Sequence, residues 1–232
     1  MKATQPAGPG KMQSAVRRQD TVRIAVEGVM LNGERVLPPG AKGIVLFAHG
    51  SGSSRHSPRN QYVARALQDA GVGTLLFDLL TREEEVADER DGHLRFDIPL
   101  LARRLAATTR WLSSRAGCEH LGVGYFGAST GGAAALVAAA EMGSAIQAVV
   151  SRGGRPDLAG VALPLVVAPT LLIVGGRDDV VLELNEAACE QLRCEKRLVV
   201  VPGATHLFGE PGALEQVAQL AADWFRQKLH TK

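Results

Sequence analysis

Apolar residues along this chain fall into short runs separated by longer stretches of helical periodicity. Thr21–Val26 (TVRIAV) alternates apolar and polar positions, as a half-buried strand does. Asn32–Gly33 is a hairpin signal, with Gly28 close by. Ile44–Ala48 is an unbroken apolar run that suits a strand covered on both faces. Thr74–Phe77, Leu121–Phe126, Ile146–Val150, Thr170–Val174 and Arg197–Val201 read as further strands. Between them, helices are expected over about Arg59–Ala70, Phe96–Trp111, Thr130–Met142, Leu182–Leu192 and Leu214–Leu229, the last with Pro211 in its first turn. The charged stretch Thr81–Gly92 (TREEEVADERDG) reads as a loop and its acidic run as a solvated face; the pocket is expected to be shallow or covered by the loop Thr81–Leu94.

Strands alternating with helices imply an α/β fold: a mostly parallel sheet, helices on both faces, and an antiparallel edge hairpin at the start. No repeat or second composition block appears. Residues 1–19, rich in Gly, Pro, Gln and Ser and lacking an apolar signal core, read as a flexible tail before one domain over 20–232. The absence of a long insertion after Ala148–Ser151 argues against a large cap domain.

Composition narrows the function classes. A net charge of +2 sets up no strong field for nucleic acid or anionic lipid, and 4% aromatic residues are too few for base-stacking platforms. Leu121–Ala140 is uncharged for a membrane-spanning length, but glycines and a Ser-Thr pair interrupt it, so a buried strand and helix explain it better. Cys118, Cys189 and Cys194 fit no zinc or disulfide framework and read as reduced thiols of a cytoplasmic protein. The histidines show no metal-site spacing, and His93, His120 and His230 read as surface residues. Neither a metal nor another cofactor is expected, the expected partner is a small molecule, and oligomeric state is left open.

The chemistry concentrates in Gly127-Ala128-Ser129-Thr130-Gly131, a G-x-S-x-G pattern between a strand and a helix. Small residues on either side let strand and helix approach closely and lift the serine oxygen above the sheet. The bland alternative is a tight glycine turn without chemistry. A serine nucleophile needs a base, and the base an orienting acid. His206 lies just past the last strand; Asp178 and Asp179 lie just past the one before. Asp178 is preferred, since Asp179 also reads as a helix cap. An anion hole is expected from the Thr130 N–H and from HGSGSS (49–54), with the Ser51 N–H first and Gly52 second, Gly50 helping to turn the chain. His56, Arg59 and Arg152 could meet an acidic substrate group, although ion pairs with Asp78 or Asp157 would equally occupy them.

With HGSGSS at 49–54, GASTG at 127–131, LLIVGGRDD at 171–179 and VPGATH at 201–206, the chain resembles the α/β-hydrolases, and within them the dienelactone-hydrolase-like group. The resemblance implies Ser129 as nucleophile, His206 as base, Asp178 as acid, and the Ser51 and Thr130 amides as anion hole. One departure stands out: dienelactone hydrolases carry cysteine where this chain has Ser129. The expectation is a hydrolase of small carboxylic esters, with lactones and thioesters within the same chemistry. It should lose activity as pH falls through the range where imidazole protonates, about 6.5 for a free side chain. A non-catalytic binding or regulatory module, or an acyltransferase, are the alternatives.

Overall fold

The structure, a computed structural model, describes residues 18–232. Of the stretch expected to be a flexible tail, residues 1–17 lie outside the described residues, and residues 18 and 19 already belong to the first strand. Among these residues eight strands form one sheet: β1 (Arg18–Val26), β2 (Val29–Leu37), β3 (Gly43–Ala48), β4 (Gly73–Phe77), β5 (Gly122–Ala128), β6 (Ile146–Arg152), β7 (Thr170–Gly175) and β8 (Lys196–Val201). Their spatial order is β1-β2-β4-β3-β5-β6-β7-β8. The β1–β2 and β2–β4 pairs are antiparallel, and the remaining pairs are parallel. The expected mixed sheet with an antiparallel edge hairpin is therefore present.

Among the described residues six α-helices flank the sheet: α1 (Pro58–Asp69), α2 (Arg82–Asp91), α3 (Ile98–Ser113), α4 (Thr130–Met142), α5 (Asp179–Gln191) and, after the last strand, α6 (Ala213–Lys228). The two-residue period of β3 shows how the layers are filled. Val45 and Phe47 face α1 and α6, joining Val63, Leu67, Val217 and Phe225. Ile44 and Leu46 face the other way, toward Leu101 and Leu105 of α3 and the alanines of α4. Each large apolar side chain so buried contributes about 1.5–3 kcal/mol. The connection from β6 to β7, residues 153–169, holds only 3₁₀ turns over Pro156–Leu165.

Three sequence expectations need correction. The hairpin turns at Glu27–Gly28, where φ is 48° and 78°, and Asn32–Gly33 lies within β2. Two consecutive positive φ values give the turn the twist a two-residue hairpin needs. Gly33 instead serves packing, because a Cβ there would stand 3.1 Å from Phe77 Cβ. Pro211 precedes α6 rather than sitting in its first turn; Gly212, in the left-handed region, is the cap.

The third correction is Thr81–Gly92, which forms helix α2 rather than a loop. Thr81 and Glu84 make a reciprocal capping box: the Glu84 N–H donates to Thr81 Oγ1 at 3.2 Å, and the Thr81 N–H to Glu84 Oε2 at 2.8 Å. Gly92 ends the helix at φ 69°. Nor is the acidic run wholly a solvated face. Glu84 pairs with the buried Arg104 of α3, whose guanidinium holds the Glu84 carboxyl below the usual carboxylate range. Asp88 is buried, pairs with Arg95, and accepts from the Leu94 N–H at 2.7 Å.

Candidate active site

β3, β5, β6, β7 and β8 run parallel, so the loops after their C-terminal ends meet along one edge of the sheet. Ser129 follows β5 and is the N-cap residue of α4, with φ 52° and ψ −122°. A non-glycine residue pays for that backbone with strain, and three backbone bonds hold it there. The Ser129 N–H donates to the Arg152 carbonyl at 3.2 Å, while its carbonyl accepts from Gly132 at 2.9 Å and Arg155 at 3.1 Å. The hydroxyl makes no capping hydrogen bond. Gly127 and Gly131 permit the turn: a Cβ on Gly127 would lie 2.4 Å from the Gly131 oxygen, and one on Gly131 would lie 2.1 Å from the Ala48 oxygen.

His206 lies in the loop after β8, and its Nδ1 stands 2.7 Å from Asp178 Oδ2. In the neutral ring, a carboxylate on that side favours the tautomer with the proton on Nδ1 and the lone pair on Nε2. Asp178 occupies the N-cap position of α5 but makes no capping bond, because its carboxylate is turned to the imidazole. Asp179 is the first helical residue, not the cap. Ser129 and His206 line one cleft of about 250 Å³ with Gly50, Ser51, Arg59 and Arg152. Ser129 and His206 share this cleft without a hydrogen bond between them; the hydrogen bond of the imidazole is to Asp178.

Thr130, the first residue of α4, is buried, and its N–H belongs to the unsatisfied first turn of that helix. The Ser51 N–H is not free, since it donates to Thr130 Oγ1 at 3.0 Å. Gly52 lines a neighbouring hollow of about 330 Å³ with Leu80, Glu85 and Arg95, bounded by the 49–54 loop and α2. His56 does not reach the cleft; it is exposed, with Nδ1 3.9 Å from Glu34 Oε1. Asp78 and Asp157, the partners considered for the candidate cations, pair with Arg55 and Arg155 instead. Ser53, Ser57 and Asn60 also line the cleft. Sequence reading passed over them, although Ser57-Pro58 is itself a helix-start signal, and the Asn60 N–H does donate to Ser57 Oγ.

His49 is structural. Its Nδ1 donates to the Gly50 carbonyl at 3.1 Å and its Nε2 accepts from the Leu79 N–H at 3.1 Å, so the ring has no room for a second proton. Burial pushes its pKa below the ordinary 6.5. The unfolded chain therefore takes up a proton first as pH falls, and the stability contributed at neutral pH is lost from about pH 6.5 downward. Thermal melts between pH 7.5 and 5 should show a steeper acid decline for wild type than for His49→Asn; equal slopes would remove His49 from that decline.

The dienelactone hydrolase family model matches residues 31–230. A dienelactone hydrolase from Anabaena variabilis ATCC 29413 is 63% identical, with a TM-score of 0.91 over 92% of this chain and 99% of that one. Est1E from Butyrivibrio proteoclasticus shares the fold alone, at 16% identity and TM-score 0.74 over 89% of this chain and 98% of its own. A Mycobacterium tuberculosis protein, provisionally named a phosphoribosyl transferase, is 60% identical over 91% of this chain. The match covers 47% of that protein, so the chain spans about half the length of this curated relative. None of the described helices is long and apolar enough to cross a membrane. Fold, elbow and matched residues agree: the chain belongs to the dienelactone hydrolase family.

Proposed function

We propose that the protein is a cytoplasmic serine hydrolase that cleaves carboxylic esters of small molecules through an acyl-enzyme. The observation that carries this reading is the meeting of Ser129 and His206 in one cleft, with Asp178 2.7 Å from the far imidazole nitrogen. Ser129 Oγ attacks the ester carbonyl while His206 Nε2 takes its proton. Negative charge moves to the carbonyl oxygen, which the Thr130 N–H stabilises with the positive end of α4 behind it. The Ser51 N–H serves as second donor once it turns from, or shares, its bond to Thr130 Oγ1. The tetrahedral adduct collapses, the C–O bond to the alcohol breaks, and the alcohol leaves with the proton from His206. Water then attacks the acyl-serine, giving one proton to His206, and the acid departs as Oγ recovers it. Asp178 keeps the proton on Nδ1 throughout and offsets the imidazolium charge.

The relative's transferase name describes a protein about twice as long, and we assign phosphoribosyl transfer to the part with no counterpart here. The cytoplasmic placement rests on three free thiols, one of them buried. A fluorophosphonate probe tests the reading. Wild type should label, and Ser129→Ala should not; an unlabelled wild type would leave a binding module, and labelling that persists in Ser129→Ala would place the nucleophile elsewhere. Transfer to an acceptor other than water would keep the labelling and change the product.

A further inference from the structure

We propose that Arg59 and Arg152 form, beside Ser129, a binding site for a phosphate-type dianion carried by the substrate. That an ester carries it rests on the hydrolase reading above; the anion site itself does not.

Arg152 ends β6 and is only 7% exposed. Its Nε and Nη1 are buried and have no hydrogen-bond partner. Its guanidinium carbon lies 5.9 Å from the centre of the Phe208 ring, which offers a weak attraction and no acceptor. No carboxylate pairs with it: Asp157 is bound to Arg155 and Asp78 to Arg55. Arg59 repeats the pattern, with its Nε buried and unpartnered. Burial first, and then the Arg59 charge, push the Arg152 pKa down to about 10, which leaves it charged at neutral pH. Two guanidiniums held together with no acid between them oppose folding, and a fold keeps them where a ligand brings the counter-charge.

The surroundings say what kind of ligand. Ser57, Arg59 and Asn60 are the cap and first-turn residues of α1, a helix with no acidic residue in its first turn, so its positive end faces the same cleft. No carboxylate lines this cleft. A single carboxylate would neutralise one of the two arginines. A phosphate monoester or phosphonate carries about −1.5 to −2 at neutral pH, with three acceptor oxygens for the two planar forks. The site is also next to the chemistry, because the Arg152 carbonyl accepts the Ser129 N–H. A dianion held there would fix the substrate carbonyl against the serine.

Calorimetric titration of the whole chain with inorganic phosphate, and with acetate as control, tests the site without turnover. Phosphate should bind at least tenfold tighter than acetate, and Arg152→Gln should weaken it at least tenfold, with Arg59→Gln weakening it less. The unliganded melting temperature of Arg152→Gln should equal or exceed that of wild type, because an unpaired buried charge has gone. A structural arginine would lower it. A kinetic arm compares the 4-nitrophenyl esters of 3-phosphonopropanoate and butanoate. The ratio of their kcat/KM values should favour the phosphonate at least tenfold in wild type and collapse in Arg152→Gln. Phosphate that binds no better than acetate, or binds equally well to Arg152→Gln, overturns the proposal. Phosphate binding lost in Arg152→Gln, with neither ester turned over, upholds the anion site and overturns the hydrolase reading instead.

Discussion

Ser129→Ala and His206→Ala, made singly and together, should each lower kcat on a chromogenic ester by a similar factor, about 10⁴ to 10⁶. The double variant should be no worse than either single one. The reason is that the hydroxyl and the imidazole act as one device: without the base the oxygen is a poor nucleophile, and without the oxygen the base has nothing to deprotonate. Asp178→Asn should cost somewhat less, about 10⁴, by favouring the wrong imidazole tautomer. Neither Ser129→Ala nor His206→Ala removes a buried apolar group, so their melting temperatures should stay near that of wild type. Multiplying losses in the double variant would mean independent roles, and a single loss below tenfold would remove that residue from the chemistry.

How much of this was legible in the sequence depends on how local each cause is. The G-x-S-x-G turn is local: two glycines, a serine and flanking apolar runs specify strand, strained corner and helix within a few residues, and α4 spans Thr130–Met142 as expected. Asp178 and His206 were legible because each follows a recognisable strand, and a parallel sheet brings successive strand ends to one edge. Helix α2 was legible in part, since Thr81 and Glu84 spell a capping box, but its acidic composition concealed it. Its inward acids are neutralised by Arg95 and, from α3, by Arg104. The same limit governs the cleft arginines. Arg152 was recognised as a candidate, but its lack of a partner depends on which side chains the fold brings to the cleft, and none of those is a carboxylate. The Thr130 hydroxyl on the Ser51 amide spans 79 positions and had no sequence signal at all.

Gly131→Ala should destabilise the protein by about 3 kcal/mol or more, lowering Tm by about 10 °C, and should lower turnover in whatever remains folded. The added Cβ would stand 2.1 Å from the Ala48 carbonyl oxygen and 2.6 Å from that of His49. Both are backbone atoms, so no rotamer change relieves the contact. Either α4 lifts away from the sheet or the end of β3 shifts. The first displaces the Thr130 N–H and the strained serine; the second displaces Ser51 and the loop that walls the cleft. Gly209→Ala is the control: it lies in the His206 loop, a Cβ there meets nothing within 4 Å, and its φ is not positive. Its stability should stay within about 0.5 kcal/mol of wild type. Equal melting temperatures for the two variants would mean that strand and helix can separate at little cost. The second glycine of the elbow would then be no steric requirement, and the tight geometry that exposes Ser129 would need another cause.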